Sequence, residues 1–122
     1  MGSEPADWTI NRIGVVGAGA MGSSLASMIG QLAPIVMVCR SSHRASRVVR
    51  DGVKTTGLIE ASARPIVVRS IAELTQAGGI GVLFIATKTT AIPSVAAELK
   101  PLLGKIAEQP EGLFVVSFQN GI

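Results

Sequence analysis

Apolar positions in this chain come as short, nearly unbroken runs. Residues 13–16, 35–39, 80–86 and 113–118 are made almost entirely of Ile, Val, Leu, Met, Phe and small residues. Runs of that length, bounded by Gly, Pro or polar positions, fit strands buried on both faces, as in a parallel sheet. Between the runs the apolar residues change to helical spacing. Leu25, Met28 and Ile29 make one stripe, and Ile92, Val95, Leu99 and Leu102 make another.

The pattern predicts a strand over 12–17 and a helix over 20–32, broken by Ala33-Pro34. A second strand follows at 35–39. Ser41 or Ser42 caps a helix running to about 50, closed by Asp51-Gly52. Residues 53–59 and 65–69 read as two short strands joined by a polar turn, a small hairpin or an extension between the second and third units of the sheet. Ser70 caps a short helix over 71–77 that ends at Gly78-Gly79. A strand at 80–86, a helix over 92–103 with Pro93 in its first turn, and a strand at 113–118 stopped by Gln119-Asn120-Gly121 complete the order. Right-handed crossovers turn that order into an α/β fold, a Rossmann-like doubly wound, mostly parallel sheet with helices on both faces. Residues 1–11 are polar and read as a flexible lead-in; residues 12–122 suit one domain with one core.

Composition sharpens this picture. Apolar residues make up 48% of the 122 positions and charged residues 16%, which excludes a disordered chain. There is no Tyr, and Trp8, Phe84, Phe114 and Phe118 are the only aromatics, so the core is aliphatic. The net charge of +3 is modest, and the basic residues between Arg40 and Arg50 have no aromatics among them to stack on bases. A local anion site explains them better than a nucleic-acid groove. Cys39 stands alone, inside an apolar run, and reads as a small buried hydrophobe in a reducing compartment. Neither a metal-ligand cluster nor an apolar run of membrane-spanning length is present, and a cytoplasmic protein is the expectation.

The first strand leads into Gly17-Ala18-Gly19-Ala20-Met21-Gly22, the G-x-G-x-x-G spacing of a dinucleotide loop. Gly17 permits the tight turn, Gly19 leaves room for a pyrophosphate, and Gly22 lets the helix approach the strand. The helix start then offers N–H groups and the positive end of its dipole to phosphates. A glycine-rich turn that only packs is the alternative. An NAD-specific site carries Asp or Glu at the end of the second strand. Here that position is Arg40, followed by Ser41, Ser42, His43 and Arg44. A guanidinium with hydroxyls beside it suits a 2′-phosphate, with Arg44 the second candidate and His43 incidental. Ordinary surface arginines at a helix start are the alternative. In the expected fold Gly17, Arg40, Thr87-Lys88 and Gln119-Asn120 all fall at the carboxyl ends of strands, where ligands of such sheets bind.

With these residues in view, the chain resembles the N-terminal half of ketopantoate reductases (2-dehydropantoate 2-reductases). The resemblance runs over about 12–122, through IGVVGAGAMGSSLA, VMVCR, VLFIATKTTAIPSVAAELKPLLG and VVSFQNGI. Its more specific parts are Ala86-Thr87-Lys88 and Gln119-Asn120-Gly121. It implies NADPH-dependent reduction of a 2-keto acid, 2-dehydropantoate, to the 2-hydroxy acid in the pantothenate pathway. It implies that Gly17, Ala18, Gly19, Ala20, Met21 and Gly22 hold the pyrophosphate and Arg40 the 2′-phosphate. Lys88 matches the family's lysine near the cofactor, and Asn120 its asparagine between nicotinamide and substrate. A solvated loop lysine and an asparagine in a left-handed turn before Gly121 are the plainer readings of these two.

The family's general acid lysine and substrate-orienting acid belong to a helical second domain and match no position here. No catalytic residue is therefore assigned, and the 122 residues by themselves are expected to bind NADP(H) without turnover. The expected partners are a small 2-keto acid and the family's C-terminal domain or a second copy. A reductase of another 2-keto acid, and an NADP-binding module without catalysis, are the competing functions.

Overall fold

The computed structural model describes residues 12–57, 59–77, 79–107 and 114–117. Strands β1 (Ile13–Val16), β2 (Ile35–Val38), β5 (Ile66–Val68), β6 (Val82–Ile85) and β7 (Phe114–Ser117) form one five-stranded sheet in the order β5-β2-β1-β6-β7. Every pair in it is parallel. The chain adds strands outward on one side of β1, then returns to the other side, so the order reverses between β1 and β6. This is the Rossmann-like arrangement that the alternation of elements predicts.

Alternate residues of the central strands feed two cores. Val16, Val36, Val38, Leu83 and Ile85 pack with Ile71, Leu74, Val95, Leu99 and Ile106 on one face. Ile13, Val15, Ile35, Met37 and Cys39 pack with Ala26, Ala45, Val48 and Val53 on the other. Helices α1 (Ala20–Ile29) and α2 (Ser42–Asp51) therefore cover one face, and α3 (Ile92–Leu99) with the short α4 (Leu103–Ile106) covers the opposite one. Burial of both faces explains why these strands read as unbroken apolar runs. β7 departs from that expectation: all four residues are exposed, and Phe114 is 68% exposed. Among the described residues no helix is long and apolar enough to cross a membrane.

Four segments differ from the sequence-based expectation. The stretch 53–69 holds three strands. β3 (Val53–Thr55) pairs antiparallel with β4 (Ala61–Ala63), while β5 leaves this hairpin and joins the main sheet beside β2. The strand at 61–63 is Ala-Ser-Ala, too small and polar to register as apolar alternation. The hairpin lies on α1, where the Ser27 and Thr55 hydroxyls meet and Gln31 Nε2 donates to the Ser62 carbonyl at 2.7 Å. Helix α1 stops at Ile29, and Gly30 donates to the Ala26 carbonyl at 2.9 Å. The helix expected over 71–77 is a 3-10 segment, Ala72–Gln76; Ser70 Oγ does accept from the Glu73 N–H, at 3.3 Å. The helix expected over 92–103 breaks into α3, a 3-10 turn at Lys100–Leu102 and α4, because Pro101 cannot donate to the helical ladder.

Candidate functional site

Three strand ends meet at the reversal point of the sheet. After β1 the chain turns at Gly17, whose φ of 118° is closed to residues bearing a Cβ. A Cβ at that position would also lie 2.8 Å from the Ala86 carbonyl oxygen, beyond the end of β6. One at Gly22 would lie 2.2 Å from the Gly17 carbonyl oxygen. Both glycines are thus demanded by the close approach of turn, helix and neighbouring strand. Gly19 differs. A Cβ there meets only the Arg44 guanidinium, at 3.7 Å, so the protein's own packing does not need a glycine at that position.

Gly19 is also the N-cap of α1. Its backbone is extended, no side chain caps the helix, and the first turn holds no acidic residue. The amides of Ala20, Met21 and Gly22 stand in that first turn. Two side chains hold the turn from either side: Ser23 Oγ donates to the Ala18 carbonyl at 3.2 Å, and Arg44 Nη1 donates to it at 2.7 Å. The turn therefore keeps its shape without any contact that fills the space over Gly19.

After β2 come Cys39 and Arg40. Ser41 caps α2, accepting from the Arg44 N–H at 3.3 Å. Arg69, one residue beyond β5, reaches back across the sheet edge. Its Nε donates to the Cys39 carbonyl at 2.9 Å, and its Nη2 donates to the Arg40 carbonyl at 2.7 Å and to Ser42 Oγ at 3.0 Å. The register that sets Val38 opposite Val68 puts Arg69 next to this turn. The hydroxyl oxygens of Ser41 and Ser42 both accept here, which leaves each O–H able to donate. The Arg40 side chain makes an ion pair with Glu98 of α3. His43 is exposed. Cys39 is buried, and that burial pushes its thiol pKa up, against the opposing pull of Arg69 and Arg44.

After β6 come Ala86, Thr87 and Lys88. Lys88 is exposed. Thr87 Oγ1 is buried and, among the described residues, has no hydrogen-bond partner. Asn120 and Gln119 lie outside the described residues.

A cleft of about 760 Å³ opens beside the glycine turn. Ala18, Gly19, Ala20 and Ser23 form one wall and Arg44, Arg47 and Val48 of α2 another. Arg50, Lys54 and Arg64 add cations, against the single carboxylate of Asp51, which pairs with Arg50. The cleft is therefore electropositive and joins directly to an uncapped helix N-terminus, an arrangement suited to a phosphate-bearing ligand. Arg44, the second candidate from the sequence, lines this cleft, and Arg40 does not. Sequence reasoning passed over Glu98 and Arg69. Glu98 lies on the polar side of a helix read only for its apolar stripe. Arg69 holds the same place after β5 as Cys39 after β2, a parallel that appears only once β5 pairs with β2.

The sequence pattern of the family described as ketopantoate reductase PanE/ApbA matches residues 13–122. Among solved structures, the chain resembles a PanE/ApbA family ketopantoate reductase from Ralstonia eutropha JMP134, with 22% identity and a TM-score of 0.67 over 90% of this chain and 34% of that one. It resembles 2-dehydropantoate 2-reductase from Geobacter metallireducens GS-15, with 21% identity and a TM-score of 0.63 over 91% of this chain and 34% of that one. The same enzyme from Porphyromonas gingivalis W83 gives 20% identity and a TM-score of 0.59 over 82% and 36%. The chain thus spans about a third of the length of these structures. No curated protein matches it in sequence.

Proposed function

This chain belongs to the ketopantoate reductase family, and we propose that it binds NADPH over its glycine turn for the reduction of 2-dehydropantoate to pantoate, a step toward pantothenate and coenzyme A. The observation that carries this reading is the contrast among the glycines. Gly17 and Gly22 answer to packing, whereas Gly19 leaves open space at the start of an uncapped helix.

The residues fit the cofactor. The backbone of Gly17, Ala18, Gly19, Ala20, Met21 and Gly22 takes the pyrophosphate, with Arg44 as its nearest cation. Arg40, standing where an NAD site has an acid, takes the 2′-phosphate, and Ser41 and Ser42 donate to it. Lys88 would neutralise phosphate charge or donate to a ribose hydroxyl, and Asn120, matched to the family's asparagine by resemblance, would offer its carboxamide to nicotinamide and substrate. NADPH, when bound, supplies the hydride that the carbonyl carbon of the 2-keto acid accepts. A proton must then reach the carbonyl oxygen. Lys88, exposed beyond the end of β6, is assigned to charge neutralisation and not to proton donation.

Calorimetric titration of the chain with NADPH and NADH tests the reading, with binding of NADPH preferred. Absence of NADPH binding by the folded chain overturns it. The substrate is tested on the complete protein that carries this chain, by comparing 2-dehydropantoate with other 2-keto acids in NADPH oxidation. A preference for another keto acid moves the assignment to that substrate.

A further inference from the structure

Arg40 lies two residues beyond β2 and Glu98 lies 58 residues later on α3, yet their side chains form an ion pair. Both are about half exposed, 54% and 48%, so core packing does not force them together. The end of β2 is where dinucleotide sites of this architecture separate the two nicotinamide cofactors: a carboxylate accepts from the ribose hydroxyls of NAD, and a cation receives the phosphate of NADP. The sequence has the cation at that position. The fold brings a carboxylate to it from α3.

We infer that Glu98 is a specificity-determining residue that opposes the 2′-phosphate, making the preference for NADPH over NADH smaller than Arg40 alone would give. The inference rests on the reading of the glycine turn as a dinucleotide site. Arg40 does not line the cleft beside that turn while Glu98 holds it. A 2′-phosphate must therefore either displace the carboxylate from the guanidinium or share the guanidinium with it. Displacement costs the strength of an exposed pair, a factor of up to about five. Sharing sets a carboxylate beside a phosphate dianion, and that repulsion acts in the same direction. NADH carries no 2′-phosphate and leaves the pair intact. Its ribose hydroxyls can donate to the Glu98 carboxylate, the role played elsewhere by an acid at the strand end itself.

Glu98→Gln keeps the side chain's shape and removes its charge. Glu98→Lys replaces the competitor with a second cation. Glu98 is exposed, so both variants keep the fold, which circular dichroism verifies. Calorimetry should show NADPH binding two- to fivefold tighter in Glu98→Gln and at least as tight in Glu98→Lys, with NADH binding not strengthened. The gain should shrink in an Arg40→Ala background and at high salt. Unchanged or weaker NADPH binding in Glu98→Gln overturns the inference and makes Glu98 a support for Arg40. Equal strengthening of both cofactors also overturns it. If the unmodified chain binds neither cofactor, the dinucleotide reading itself fails and this inference falls with it.

Discussion

A Cβ on Gly22 would stand 2.2 Å from the carbonyl oxygen of Gly17, while one on Gly19, three residues earlier, would meet only a guanidinium at 3.7 Å. The two positions should therefore fail in different ways. Gly22→Ala forces backbone apart, and Gly17→Ala imposes a Cβ at a φ of 118° against the Ala86 carbonyl. Each should destabilise the protein by about 1–3 kcal/mol. Gly19→Val should cost about 1 kcal/mol, since valine is a poorer N-cap than glycine but its Cβ meets only the Arg44 guanidinium, and should abolish NADPH binding. Thermal denaturation and calorimetry on the three variants check this split. A folded Gly19→Val chain with undiminished NADPH affinity would remove the turn from the cofactor site.

The two arginines near the turn should also separate. Arg40→Ala removes the cation proposed for the 2′-phosphate. Charge-assisted hydrogen bonds are worth about 1.5–3 kcal/mol, and exposure together with the Glu98 pairing puts Arg40 at the low end. The expected loss is about tenfold in NADPH affinity, with NADH unchanged. Arg44 contacts the Ala18 carbonyl at the turn that both cofactors share. Arg44→Ala should therefore weaken NADPH and NADH alike. The measurement is a pair of titrations per variant; a cofactor-selective loss at Arg44 would exchange the two assignments.

Much of this arrangement is legible in the sequence because its strongest signals are local. Residues 35–39 must lie in a buried strand whatever surrounds them. The glycine spacing at 17, 19 and 22 states its own geometry, and Gly52 closes α2 with a φ of 75° as Asp51-Gly52 suggests. Pairings between distant segments are not legible in the same way. Ile66–Val68 resembles the second arm of a hairpin by spacing alone, and only packing against β2 decides that it joins the main sheet. The Arg40–Glu98 pair spans two elements on different parts of the fold, and each residue alone looks like ordinary surface charge. Arg40 is visible as a candidate because strand-end chemistry is local; its carboxylate partner is visible only after folding.

Arg69 calls for a test of its own because it contacts Ser42 and the Arg40 backbone but is not itself assigned to the cofactor. Its guanidinium serves the Cys39 and Arg40 carbonyls and the Ser42 hydroxyl, tying β5 to the turn that carries Arg40. Arg69→Met keeps the aliphatic stem and removes these donors. We expect a stability loss of about 1–2 kcal/mol, discounted for partial exposure. NADPH affinity should fall less than in Arg40→Ala, because the phosphate-binding guanidinium remains but its backbone is looser. Urea unfolding and calorimetry give the two quantities. A loss of affinity equal to that of Arg40→Ala, with stability unchanged, would make Arg69 a direct phosphate ligand.

The buried thiol gives the fold a dependence on alkaline pH. Burial raises the pKa of Cys39 in the folded chain, the thiolate being the form that loses hydration, while Arg69 and Arg44 offset part of the rise. In the unfolded chain the thiol ionises at about pH 8.5. The folded state thus holds the proton more tightly, and this contribution to stability is fully present below about pH 8.5. It is lost as pH rises through the unfolded value toward the raised folded one, since over that range only the unfolded chain gives up the proton. Cys39→Ala removes the titrating group while keeping a small apolar side chain among Ile13, Val15 and Met37. Its overall stability should be lower because a buried sulfur is gone. Its decline between pH 7 and pH 10 should nonetheless be shallower than that of the unmodified chain, because lysines titrate equally in both. Urea unfolding across that range tests the difference in slope. Parallel curves would mean that the thiol ionises as easily folded as unfolded, and that the two arginines cancel the effect of burial.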